Sequence, residues 1–119
     1  IAVLAQRLVR KVCPNCKTEY DPPMNIRKSV ESIGGEIETY YRGMGCKKCR
    51  NTGYAGRIAV HELFVLDDDI VTMINENTNP KEMRGVAAKK GMKSLLEDGL
   101  EKVRAGIVPI GEVMRIANN

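Results

Sequence analysis

The sequence predicts an α+β fold, mostly helical, in which a cysteine-pinned loop with a short β-hairpin precedes a small bundle of about four helices. Three observations carry this expectation. All four Cys fall in two Cys-x-x-Cys pairs, Cys13 with Cys16 and Cys46 with Cys49. Residues 54–66 are rich in β-branched and apolar side chains, around Ile58, Val60 and Leu63. After Asp67 the apolar spacing becomes helical and stays so. At 119 residues, 43% hydrophobic and 29% charged, the chain is about one ordinary domain and is not wholesale disordered.

Taken in order, Ile1, Leu4, Ala5, Leu8, Val9 and Val12 repeat at the spacing of a helix with one buried face. Arg7 and Arg10 then share the opposite face. Cys13-Pro14 ends the segment, because a residue before Pro is pushed out of the helical region. Met24 to Ile33 reads as a short helix stopped by Gly34-Gly35. Glu36 to Arg42 alternates and reads as a strand, Gly43 to Cys49 as a tight turn, and Tyr54 to Leu66 as a second strand. Asp67 or Asp68 caps a helix carrying Ile70, Val71, Met73 and Ile74. Asn79, Pro80 and Glu82 supply a cap, a Pro at the first helical position and an early acid, with a stop at Gly91. Ser94 to Glu97 forms a capping box for a helix closed by Gly106. Pro109 opens the last helix. The organisation expected is therefore three segments, 1–12, 13–66 and 67–119.

Composition excludes several functions. There is no Trp, one Phe and four Tyr, so an aromatic stacking surface for bases is not expected. No apolar run is long enough to span a membrane. Nothing at the start reads as a signal peptide, and the first residue, Ile1 instead of Met, enters mid-helix, so the chain is expected to be a fragment. The net charge of +4 is too mild to argue for nucleic acid by itself. Its distribution is more informative: from Arg42 to His61 there are five basic residues and no acid. Phosphate-loop, Gly-x-Ser-x-Gly and Cys–His signatures are all missing, so no catalytic residue is assigned.

Two Cys-x-x-Cys pairs suit a tetrahedral four-thiolate zinc site formed by Cys13, Cys16, Cys46 and Cys49. The 29 intervening residues make an enlarged zinc loop beside the usual spacing of roughly 15–20. A closed shell leaves no position for water, so the metal would be structural. The alternatives are two disulfides or four reduced thiols; the first wants an oxidising compartment, for which no secretory signature speaks. His61 reads as an ordinary strand residue, and the six Met as gap fillers of helical cores.

Several runs together resemble one family. These are Ala5 to Cys16 (Ala-Gln-Arg-Leu-Val-Arg-Lys-Val-Cys-Pro-Asn-Cys), Gly45 to Cys49, Thr52 to Arg57, Val60 to Leu63, Gly91-Met92 with Leu96 to Val103, and Gly106-Ile107 with Glu112 to Ile116. They resemble, in the same order, the C-terminal end of the type II secretion and type IV pilus assembly ATPases. The resemblance implies a piece of a RecA-like motor ATPase. Residues 1–12 would end its core, 13–66 form the four-Cys metal-binding subdomain and 67–119 the C-terminal helical subdomain. It further implies a cytoplasmic homo-hexamer, peripheral at the inner membrane, that binds ATP and Mg²⁺ in the parent protein and contacts an inner-membrane platform protein through the zinc loop. The parent would be the enzyme; this segment alone would hydrolyse nothing. Arg7 and Arg10 match the family's run on the nucleotide side of the core, and serve equally well as a solvated face. His61-Glu62-Leu63 leans toward type II secretion. Where the family often has Leu-Glu-Glu-Val-Leu-Arg, this chain has Ile110-Gly111-Glu112-Val113-Met114-Arg115, so a weaker final turn is expected.

The rival reading is a basic zinc module for nucleic acid, which the Arg42–His61 stretch favours and the lack of aromatics and the acidic terminal helices oppose. A chaperone-type cysteine-rich repeat is opposed by Asn51, which stands where that repeat needs Gly.

Overall fold

The opening segment is a strand, not a helix. In the computed structural model, which describes residues 2–33 and 35–117, β1 runs Ala2–Val12 and pairs antiparallel with β4, Tyr54–Val65. Its register runs from Ala2 opposite Val65 to Val12 opposite Tyr54, with a shift between Arg10 and Val12. The spacing that suggested a helix also fits a ribbon apolar on both faces: Val3, Ala5 and Val9 on one, Leu4 and Leu8 on the other. Short apolar runs leave that choice to long-range pairing. Arg7 and Arg10 consequently point to opposite faces instead of sharing one. Two of the residues used in the expectation, Ile1 and Gly34, lie outside the described residues.

Nested inside this ribbon is a second one. β2 (Lys17–Tyr20) pairs with β3 (Tyr40–Gly43), Thr18 opposite Arg42. The strand expected over 36–42 is thus shorter and shifted, and its partner, four residues long, was not anticipated. α1 (Met24–Ser32) connects the two, as expected.

The four C-terminal helices follow the expected signals closely. Asp67 accepts from the Ile70 N–H to cap α2 (Asp68–Asn75), and Asn79 accepts from Lys81 to cap α3 (Pro80–Lys89). Ser94 accepts from the Glu97 N–H to cap α4 (Leu95–Arg104). α5 spans Ile110–Ala117.

One core draws on the whole chain. Val9 and Val60 from the long ribbon meet Val30, Tyr40, Leu100, Val103, Val113 and Ile116. Packing therefore runs across residue 66 through α4 and α5. Helices also seal the ribbon's edges: the Arg10 N–H donates to Glu112 and the His61 N–H to Asp98. Such caps protect an open strand edge from further pairing.

Candidate metal centre

The fold brings the two Cys pairs to one point. Val12 ends β1 with its N–H on the Ile107 carbonyl, and the Cys13 N–H donates to the Gly53 carbonyl, which fixes the first pair beside the second. Gly43 and Gly53 approach backbone to backbone so closely that a Cβ on either would collide with the other. That contact closes the loop carrying Cys46 and Cys49. Within it the Asn51 N–H donates to the Cys46 carbonyl at 2.8 Å, and the Met44 N–H to the Cys16 carbonyl at 3.2 Å.

The four Sγ atoms lie within 4.8 Å of one another. Cys13 and Cys46 are 3.8 Å apart, as are Cys16 and Cys49, while Cys46 and Cys49 are 3.6 Å apart. Sulfurs placed about 2.3 Å from a tetrahedral Zn²⁺ are separated by roughly 3.8 Å, whereas a disulfide needs about 2.05 Å. All four thiols are unbonded. The donor set and its spacing fit zinc.

Backbone N–H groups supply the electrostatics. Gly45 donates to Cys16 Sγ at 3.3 Å, Cys46 to Cys49 Sγ at 3.2 Å, and Gly53 to Cys49 Sγ at 3.2 Å. Burial opposes a Cys49 thiolate, but the N–H groups of Gly53 and Cys46 overcome it and bring the thiol down to about 6. A contact with the Asn15 side chain, then the Cys49 backbone, lowers Cys46 as well. Burial instead pushes Cys16 up to about 11. A divalent cation would bring these unequal thiols to a common thiolate state, since ligands must lose their protons to bind.

The two arginines are treated differently. Arg7 is exposed on β1 opposite Val60 and makes no ion pair among the described residues. Arg10 stacks over the Tyr54 ring at 4.0 Å and grips Glu112 through Nε at 3.1 Å and a terminal nitrogen at 2.6 Å. Arg115 adds a third side-chain donor at 3.0 Å. Glu112 is only 2% exposed. Desolvation would raise its pKa, yet Arg10 and then Arg115 hold it at about 2. This buried carboxylate was not anticipated from the sequence. Its one signal is an acid set between Ile110, Val113 and Ile116 on a helix face that is otherwise apolar. His61 reaches the rest of the fold through its backbone, as a strand residue should.

Residues 1–115 match the family model described as type II/IV secretion system protein. The chain belongs to that family. Among its relatives, the type IV pilus assembly ATPase PilB of Thermus thermophilus is 45% identical over 116 residues, 96% of this chain and 13% of that protein. The type II secretion system ATPase E of Vibrio cholerae is 40% identical over 116 residues, 98% of this chain and 23% of the relative. The type II secretion system protein E of Dickeya dadantii is 37% identical over 118 residues, 98% of this chain and 23% of the relative. This type II/IV secretion system protein chain therefore spans less than a quarter of the relatives it matches. Among its described residues, no helix is long and apolar enough to cross a membrane.

Proposed function

We propose that this chain is the zinc-bearing coupling part of a cytoplasmic, hexameric ATPase that powers type II protein secretion or type IV pilus assembly. The observation that carries this reading is the four-cysteine cluster, with sulfur spacings that suit a tetrahedral metal, in a chain of this family. Cys13, Cys16, Cys46 and Cys49 would hold one Zn²⁺, which supplies a rigid cross-link between the two ribbons and no chemistry. Residues 1–12 would continue the ATPase core, 13–66 form the metal-binding unit and 67–119 the helical unit. ATP and Mg²⁺ would bind elsewhere in the parent, because this sequence carries no Gly-x-x-x-x-Gly-Lys-Ser/Thr phosphate loop.

The shared contacts of Arg10 support a coupling role. Arg10 is held at once by Tyr54, next to the metal loop, and by Glu112 of α5, which ties β1, the start of β4 and the last helix together. Arg10 is thereby occupied, and Arg7 is the arginine left to face nucleotide or solvent. Movements of the core would pass through this unit to the inner-membrane platform protein. ATP turnover tests the reading. The purified chain should hydrolyse none, and Cys46→Ser in the parent should depress stimulated turnover while leaving nucleotide affinity intact. Turnover by the chain alone, or a parent indifferent to Cys46→Ser, would contradict it.

A further inference from the structure

Where Gly43 and Gly53 meet, residues 44–52 close into a protrusion of their own. Lys47, Lys48 and Arg50 are exposed on it, beside Met44 at 61% exposure, and Arg42 and Arg57 are exposed at its base. A loaded four-thiolate zinc centre carries a formal charge of −2. The five basic residues between Arg42 and His61 therefore exceed it by three positive charges. Neutralising the metal centre does not account for them. The ion pairs of the described residues all lie elsewhere, on Arg10, Arg27, Lys90, Lys93, Lys102 and Arg115.

We infer that this protrusion docks an acidic segment of a protein partner, with Met44 receiving an apolar side chain set among the carboxylates. The inference rests on the coupling role proposed above and names the chemistry of the contact. Nucleic acid fits the surface less well. Each nearby tyrosine ring already has a cation over one face, Tyr20 with Arg42 at 4.8 Å, Tyr41 with Lys17 at 4.5 Å and Tyr54 with Arg10 at 4.0 Å, which reduces the ring surface open to base stacking. A lipid surface fits less well too, since the protrusion carries no Trp, Phe or Leu to enter the headgroup boundary. Lysine and arginine opposite carboxylates give orientation and a fast encounter, and the rim location keeps the contact reversible.

The probe is a fluorescein-labelled peptide of glutamates flanking one leucine, titrated by anisotropy against the chain while bound zinc is measured in each sample. The variant K47E/K48E/R50E should lose about tenfold in affinity, because three screened attractions become repulsions. The variant K81E/R84E/K89E, which changes net charge equally on α3, should lose less than about twofold at physiological salt. If charge reversal unloads the metal, K47Q/K48Q/R50Q replaces it and should still lose several-fold. Equal weakening by the two triples overturns the inference. So does unchanged peptide binding in a zinc-loaded variant, or tighter binding of a DNA duplex or a phosphatidylglycerol vesicle through the same three residues. A wild-type chain that binds the peptide through these residues yet holds no zinc overturns the metal reading instead.

Discussion

Replacing Glu112 by Gln removes one charge from a site 2% exposed, where three side-chain bonds and the Arg10 N–H converge on two oxygens. The fold holds this carboxyl at about 2 against the 4.5 of an unperturbed glutamate. At 1.36 kcal/mol per unit, the ionised form contributes roughly 3 kcal/mol. Because the folded pKa is the lower one, that contribution is complete above pH 4.5. It is lost as pH falls toward 2. Both arginines are about half exposed and regain water when the pair breaks, so E112Q should cost about 2–3 kcal/mol at pH 7, below the 3–5 of a fully buried pair. Urea unfolding of both proteins at pH 7 and pH 3 measures this. The gap should shrink by roughly half at pH 3, and any release of metal in acid affects both proteins alike. A gap below about 0.5 kcal/mol at pH 7, or one that does not change with pH, would refute the reasoning.

Three further substitutions have defined outcomes. Cys46→Ser should abolish stoichiometric zinc and raise amide exchange chiefly in residues 13–20 and 40–53, while α4 keeps most of its protection through Val9 and Val60; hydrogen-exchange mass spectrometry reads both. Gly53→Ala should unload the metal and destabilise by more than about 2 kcal/mol, since Gly53 sits at φ 82 against the Gly43 backbone and donates to Cys49; competition against a zinc chelator gives the loss. Gly85→Ala should stabilise by about 0.5–1 kcal/mol, because a Cβ there meets nothing and the residue lies inside α3. Calorimetry should show Tm rising by a few degrees.

The terminal helices were legible because their signals are local. Asp67, Asn79 and Ser94 cap what they were expected to cap, and Gly91 and Gly106 stop α3 and α4 with positive φ. The meeting of the four cysteines at one point was equally legible, since Cys-x-x-Cys geometry needs only a short turn. What failed was pairing across long separations. β1 read as a helix because nothing near it announces a partner more than forty residues away at Tyr54–Val65. β2 was missed because Lys17–Tyr20, with Thr and Tyr among charges, is ordered by β3 and not by its own pattern. Glu112 was hidden for the same reason: its meaning lies in Arg10, which only the folded chain brings to it.

The central claim is a tetrahedral four-thiolate zinc centre made by Cys13, Cys16, Cys46 and Cys49. Zinc K-edge X-ray absorption on protein purified without chelator, with metal content determined on the same sample, tests it most directly. One Zn²⁺ per chain and a shell of four sulfurs at about 2.3 Å are expected. A metal-free protein with four reactive thiols, or a shell containing nitrogen or oxygen, would contradict it.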